Sequence, residues 1–485
     1  MWGYFFFTMT RISNQANSTI AAIATPPGVG GIAVVRVSGP QAVLLTAQIY
    51  YSNTSLEQAQ SHRAYLGKIM ISTANGPGTQ KKEVLDEVLV TVFKAPRSFT
   101  GEDVVEISCH GGVYLTHRIL DLLISRGARL AEPGEFTQRA FLNGKLDLSQ
   151  VEAVADLIAA KTEYGLRAAA SQFQGKLSKK ISWLRAKLIE ICCNLELELD
   201  FSEEDIVLTS RDKIAKQLDE AEGAISELLA TYHRGRVIRE GARLAIIGKP
   251  NVGKSSLMNT LLKQDRAIVT DFPGTTRDVI EEQLDIRGVL FRVIDTAGIR
   301  STENIIEKTG VARSVEQLRL ADVVVAVFDA SRVLDREDDQ IISIVRKERE
   351  LTSRSIVAVL NKTDLACVVN SQKLRKKIAT EAVVKISATE HLGIKMFEGE
   401  LLKAAIGTES RQWDDSMVTN IRQRNALSRA LASLRDARSS LIGGLSGEFI
   451  AVDLRESIDA IGEIIGEVTT EDILDNIFSK FCIGK

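Results

Sequence analysis

No run in this chain approaches the roughly 18 uninterrupted apolar residues of a membrane-spanning helix. Its five cysteines, Cys109, Cys192, Cys193, Cys367 and Cys482, are odd in number and show no paired metal-ligand spacing. The first absence argues against a membrane role, and the second against a disulfide framework, which points to a reducing, cytoplasmic setting. Charge imbalance is missing too. Lys plus Arg number 61 and Asp plus Glu 63, a formal net charge of -2, so any nucleic-acid contact must come from a local basic patch or a partner. The aromatic start, Met1 to Met9, has an apolar run shorter than a signal-peptide core, and no Lys or Arg precedes Arg11. Residues 1–19 are therefore expected to be an N-terminal extension, with Met9 as an alternative start.

What is present is 485 residues, 45% hydrophobic and 26% charged, enough for about two to four domains. Short β-type runs separated by turn residues, Ile32 to Val37, Val88 to Phe93 and Val104 to Ile107, predict an α+β domain over 20–143. From 144 to 240 the period becomes helical: Ile181, Leu184, Leu188, Ile191, Leu195 and Leu199 fall three and four apart, as do Ile214, Leu218, Ala221, Ile225 and Leu228. Apolar runs fit for a buried parallel sheet return over 241–405, at Leu244–Ile247, Leu290–Ile294, Val323–Phe328, Ile356–Leu360 and Val383–Ile386. Helical periodicity resumes over 406–485, with Leu427, Leu431, Leu434 and Leu441, then Ile450, Leu454, Ile458, Ile461 and Ile465. The expected fold class is α/β plus α, with a doubly wound domain inserted into a discontinuous helical one.

The α/β segment carries the chemistry. Gly248-x4-Gly253-Lys254-Ser255 follows a strand and opens a helix, the context in which a glycine-rich loop wraps phosphates. Lys254 meets the β/γ charge and the Ser255 hydroxyl binds Mg²⁺; Asn251, Val252 and Ser256 belong to the same loop. Asp295, ahead of Thr296, Ala297 and Gly298, is placed to hold the magnesium through water, with the Gly298 N–H on the γ-phosphate. Asn361, Lys362, Thr363 and Asp364 supply guanine selectivity, because a carboxylate accepts two donors from N1 and N2 that adenine lacks. Ser387 and Ala388, after the last strand, fit a backbone contact to the guanine oxygen. The residue after Gly298 is Ile299, where Ras-like enzymes have the water-orienting Gln. Candidates for that task are Glu303 and Glu307, with a cation standing in for an arginine finger. Asn251 and Thr270, in or near the loop Thr270, Asp271, Phe272, Pro273, Gly274, Thr275, Thr276, could give oxygens to a monovalent ion.

With these motifs in place, the chain resembles the MnmE or TrmE family of potassium-activated tRNA-modification GTPases. Beyond the nucleotide motifs, three stretches carry the resemblance: Thr25 to Ile32 (Thr-Pro-Pro-Gly-Val-Gly-Gly-Ile), Ser98 to Glu106 with His110-Gly-Gly, and Phe481-Cys482-Ile-Gly-Lys485. The resemblance implies a Ras-like P-loop G domain and a folate-binding-like N-terminal domain. It further implies a homodimer, and a heterotetramer with an MnmG-like partner that carries the FAD. Together they would attach a carboxymethylaminomethyl or aminomethyl group to C5 of the wobble uridine, position 34, of certain tRNAs, using a tetrahydrofolate one-carbon unit in the 5-formyl or 5,10-methylene form. Residue by residue it implies K⁺ at Asn251, Thr270, Phe272 and Thr275, Mg²⁺ at Ser255 and Thr276, and Glu307 as the water-orienting carboxylate. Arg36, Glu106, Lys145 and Lys485 are implied to hold the folate, and Cys482 to be a nucleophile or one-carbon carrier. A ribosome-assembly GTPase that senses RNA is the alternative. Its usual Gly-x-x-Gly clamp has a counterpart only in Gly444-Leu-Ser-Gly447, which is followed by Glu448 in an acidic helical region.

Overall fold

The computed structural model describes residues 18–74, 80–200, 211–264, 282–294, 318–352, 354–380, 382–407 and 415–485. They form two compact units, Met1–Ala155 with Ile465–Lys485, and Asp156–Ile464.

The first unit is built on a seven-stranded sheet: β1 (Ile20–Ile23), β2 (Gly30–Ser38), β3 (Tyr50–Tyr51), β4 (Arg63–Ala74), β5 (Gln80–Phe93), β6 (Val104–Gly111) and β7 (Arg129–Leu130). The order is β3-β4-β5-β6-β2-β1-β7, antiparallel at every step except β1 with β7. Alternation decides which face is covered. Ala33, Val35 and Val37 on β2, Val88, Val90 and Val92 on β5, and Val105, Ile107 and Cys109 on β6 are all buried, packed with Ile119, Leu120 and Leu123 of helix Val113–Ser125. The opposite face carries Arg36, Glu106 and His110, and at its β4–β5 end it leaves Leu66 and Leu89 exposed as a cross-strand pair. Helix Leu148–Ala159 packs Leu148, Val151 and Val154 against Leu474, Ile477, Phe478 and Phe481. Residues 465–485 thus go with this first unit by packing, although in the chain they follow the second run of helices.

The second unit contains a six-stranded sheet: β8 (Ala242–Ile247), β9 (Glu282–Ile286), β10 (Val289–Val293), β11 (Val323–Asp329), β12 (Ser355–Asn361) and β13 (Ala382–Lys385). Its order is β13-β12-β11-β8-β10-β9, parallel throughout except the β9–β10 hairpin. Strands covered on both faces have no polar side, and the continuous run Val323 to Asp329 is buried at every position. Successive residues feed two cores. Leu244, Val325, Val327, Val357 and Val359 meet helices Lys254–Gln264 and Ile394–Ile406 through Leu257, Leu261, Phe397 and Leu401. Val324, Ala326, Phe328, Ala358 and Leu360 meet helices Arg336–Thr352 and Ser371–Ile378 through Ile342, Val345, Leu374 and Ile378.

The remaining helices of this unit include Lys176–Asp200, Arg211–Glu240, Ile421–Ile442 and Gly447–Ile465. Ile214, Leu218, Ala221, Ile225 and Leu228 line one buried stripe of Arg211–Glu240, and Leu427, Leu434 and Leu441 one of Ile421–Ile442. Leu431 is only half-buried, and the side chain of Leu199 lies outside the description. Helices on either side of the sheet segment in the chain pack together: Arg435 pairs with Glu222 at 2.7 Å and Arg438 with Asp219. At Gly235 a Cβ would collide with the carbonyl oxygen of Val418, just ahead of helix Ile421–Ile442.

Candidate functional site

The carboxyl ends of β8, β11, β12 and β13 bring together the loops that follow them, the usual place for a ligand in an open parallel sheet. The first loop needs its glycines: a Cβ on Gly248 would lie 2.5 Å from the Val327 oxygen, and one on Gly253 would strike Asn361 Nδ2. Gly253 also has φ of 99°, open to glycine and strained for other residues. Asn251 is exposed, with φ of 62°, a left-handed conformation that Asn tolerates. Lys254, first in helix Lys254–Gln264, folds back to donate to the carbonyls of Gly248 at 2.8 Å and Lys249 at 2.7 Å. Burial lowers its ammonium below the usual lysine range, so an anion at the helix N-terminus would be met by a charge with little competing water.

Asn361 ties the loops to one another. Its side chain is 2% exposed; Nδ2 donates to the Val252 oxygen at 2.8 Å, and Oδ1 accepts the Ala388 N–H at 3.0 Å. One amide therefore joins the phosphate loop, the Asn361–Asp364 loop and the Ser387–Ala388 loop. Thr363 N–H donates to the Ile386 oxygen at 3.1 Å, and Thr260 Oγ1 to the Ala388 oxygen at 2.9 Å, fixing the same corner from other sides. Asp364 is exposed at the end of this loop. Val252 is buried, Ser256 is exposed and Ser255 is half-buried.

Two groups at this corner were not read from the sequence. Asp329, the last residue of β11, accepts from Lys362 at 2.7 Å. Burial alone would raise its carboxyl, but Lys362 and Ser331 outweigh that and hold it below the usual range. An acidic residue ending a central parallel strand was the available signal. Lys249 pairs with Asp338 at 2.9 Å and with Asp335, anchoring the phosphate loop to the start of helix Arg336–Thr352. Thr270, Asp271, Phe272, Pro273, Gly274, Thr275, Thr276, Asp295, Thr296, Ala297, Gly298, Glu303 and Glu307 lie outside the described residues.

A second cluster lies in the first unit. Arg36 and Glu106 are cross-strand partners on β2 and β6; Arg36 Nε and Nη2 both meet Glu106 Oε1, at 2.9 and 2.8 Å. The guanidinium lies 5.8 Å from the Phe99 ring centre and 5.7 Å from that of Phe136, within cation–π range. Arg36 Nη1 donates to the Gly484 oxygen at 3.4 Å, Phe136 N–H to the Lys485 oxygen at 3.2 Å, and Gly134 N–H to the Cys482 oxygen at 3.5 Å. Gly484 has φ of 95°, and a Cβ on it would strike the Ile23 oxygen. Burial, and after it Arg36, push the Lys485 ammonium below the usual lysine range, against Glu106 and Cys482, which favour its charge. The Cys482 side of this tail is exposed. Lys145 does not make these contacts; its Nζ donates to the Pro96 oxygen at 3.1 Å.

Fold and loops define a P-loop nucleotide-binding protein whose sheet unit is joined to a helical layer. Residues 19–145 match the model described as GTP-binding protein TrmE N-terminus, and residues 148–482 that of the MnmE helical domain. A protein of Alkaliphilus oremlandii named tRNA modification GTPase MnmE is 46% identical over 97% of this chain and 99% of its own length. Proteins of the same name from Alkaliphilus metalliredigens and Clostridioides difficile are 44% and 43% identical, each over 97% of this chain and 99% of their own. The chain belongs to this family, the MnmE tRNA modification GTPases. Among the described residues no helix is long and apolar enough to cross a membrane.

Gly484→Ala is expected to release the tail, because the collision is with backbone and the φ is unfavourable to L residues. Amide hydrogen exchange should then be at least about tenfold faster at Phe136, a 1.4 kcal/mol loss of local protection. Unchanged protection would show that the tail is not held by this fit.

Proposed function

We propose that the chain hydrolyses GTP at its phosphate, Asn361–Asp364 and Ser387–Ala388 loops, and that hydrolysis serves a modification of tRNA. The group attached is carboxymethylaminomethyl or aminomethyl, at C5 of the wobble uridine, position 34. The working assembly is a cytoplasmic homodimer joined with an MnmG-like partner that supplies the FAD. One observation carries the reading: Arg36, already paired with Glu106, also holds the tail at Gly484, two residues beyond Cys482.

At the nucleotide, Asp364 selects guanine, and leaving its carboxylate without donors penalises adenine. Lys254 meets the β/γ charge, and the backbone N–H groups around Gly253 wrap the phosphates. The hydroxyls of Ser255 and Thr276 are a fitting donor pair for a hard Mg²⁺, and Asn251, Thr270, the Phe272 carbonyl and Thr275 for K⁺. When bound, these ions supply positive charge at the transferring phosphoryl group. Asp295 and the Gly298 N–H sense the γ-phosphate, and Glu307 orients the attacking water in place of the Gln that Ile299 displaces.

In the first unit the polar groups suit an extended ligand with an acidic tail and a donor-bearing ring. Arg36 binds the folate carboxylate with help from Lys145 and Lys485. Both Arg36 contacts fall on Oε1 of Glu106, which leaves its second carboxylate oxygen for the paired donors of a pterin edge. When bound, the tetrahydrofolate derivative supplies the one-carbon unit. Cys482, exposed on the tail that Arg36 holds at Gly484, is the nucleophile.

Two measurements test these assignments. The modified-nucleoside profile of tRNA from a Cys482→Ser strain should lose the wobble modification while the purified variant still hydrolyses GTP; an unchanged profile removes the thiol from the chemistry. GTP hydrolysis in KCl is expected to exceed that in NaCl at equal ionic strength by about tenfold or more, part of the 10³ to 10⁵ an arginine finger provides. Equal rates would eliminate potassium from the mechanism.

A further inference from the structure

The stretch His110-Gly111-Gly112 has no part in either site above, yet the fold builds something around it. Asp86 accepts the His110 main-chain N–H at 3.0 Å through one carboxylate oxygen, and the ring Nδ1 at 2.7 Å through the other. We propose that His110 is the proton acceptor for a primary amine in the modification reaction, with Asp86 as its positioning residue. The proposal rests on the reading that this chain takes part in attaching an amine-containing group.

The pair is held by the sheet. Between β4 and β5 the register shifts after Ile69, which faces Asp86, so that Met70 faces Val84 and Leu85 is the extra residue. The β5–β6 pairing runs from Phe93 opposite Val104 to Leu89 opposite Ser108. Beyond it, the Asp86 carboxylate takes the His110 N–H. On the other side Gly111 lies against β2, where a Cβ would come within 2.5 Å of the Gly30 oxygen. Main chain and ring of His110 are thus fixed by one carboxylate and by close strand packing.

This arrangement decides the tautomer. A carboxylate at Nδ1 requires a hydrogen there, which leaves the Nε2 lone pair as the basic site. The His110 side chain is 74% exposed and that of Asp86 9%, so the orienting group is covered and the reactive one is open. Exposed ion pairs add little stability, and the arrangement matches a supported base better than a structural tie. Neighbouring Cys109 is not what the base serves. Burial, and after it Asp86, pushes that thiol up to about 11, and its Sγ donates to the Ala33 oxygen on the covered face.

Position supplies the link to the tail cluster. Glu106, Ser108 and His110 share one face of β6; Arg36 faces Glu106 across the ladder and Ile32 faces His110. Four residues of strand separate Glu106 from His110 by about 13 Å, within the span of one extended ligand and its co-substrate. The chemistry follows from the proposed product. An amine at neutral pH is mostly ammonium and cannot attack carbon until it loses a proton. His110 Nε2 takes that proton and the N–H bonding pair stays on nitrogen. With a folate derivative bound, the same pair would form the C–N bond to the one-carbon unit as that carbon's bond to a folate nitrogen breaks; its electron pair would return to the folate nitrogen, which the imidazolium can protonate. The imidazolium so formed faces the Asp86 carboxylate, and no oxidant or reductant is consumed.

The test uses the full chain with its FAD-containing partner, tRNA, GTP, the folate derivative and the amine donor. His110→Ala should slow wobble modification about 10²- to 10³-fold and leave GTP hydrolysis unchanged. Added imidazole should restore a rate that rises linearly with its concentration, which the open ring position permits. Asp86→Asn should lower the rate about tenfold or more and respond less to imidazole, since its histidine still occupies the place. A full rate in His110→Ala, or a slow rate indifferent to imidazole, overturns the role of His110. A wild-type assembly that modifies no tRNA overturns the underlying reading and this inference with it.

Discussion

A buried amide touches all three loops of the nucleotide corner. Asn361 gives its N–H to the Val252 oxygen and takes the Ala388 N–H, so one planar group links the loop that wraps phosphate to the loops that read the base, beside the Thr363–Ile386 and Thr260–Ala388 bonds. An unmet buried donor or acceptor costs about 1–3 kcal/mol, which makes this geometry hard to relax. The glycine at 253 is part of the same constraint, because its missing Cβ is what lets Asn361 Nδ2 come that close. Asp329 and Lys249 extend the arrangement outward, one through Lys362 and the other through Asp335 and Asp338.

The first unit has its own organising contact, and it is of another kind. Arg36 is shared between Glu106, two phenylalanine faces and the tail at Gly484. It keeps a charged group half out of water and surrounded by partners that each use only part of it. The guanidinium that pairs with Glu106 thus also contacts the tail. The motif stretches outside the nucleotide loops meet around this strand pair: Thr25 Oγ1 accepts from the Val34 N–H, Gly111 lies against Gly30, and Gly484 packs on Ile23. Their separation in the chain hides that convergence.

Much of the second unit was legible in advance. Runs such as Val323 to Phe328 and Ile356 to Leu360 can only be satisfied between two layers, and they form the central strands. The helical stripes through Leu218 and Leu434 were equally clear, because period alone reveals a covered face. Edge and pairing information was not. β9, Glu-Gln-Leu-Asp-Ile, is a short polar edge strand with no long apolar run, and β4 was not read at all. Periodicity shows that a helix such as Glu471–Phe478 has an apolar face, but not that its partner is Leu148–Ala159, more than 300 residues earlier. For the same reason Arg36 and Glu106, named separately as ligand contacts, gave no sign that they face each other across a ladder.

The central claim is that the base-reading and phosphate-binding loops act as one unit through Asn361. Asn361→Asp tests it most directly, since the variant keeps the shape and the acceptor while replacing the donor with a carboxylate against the Val252 oxygen. Calorimetric titration of GTP should show affinity reduced about 10- to 100-fold, or roughly 1.4–2.8 kcal/mol, in a protein that remains folded. Wild-type affinity in that variant would contradict the account.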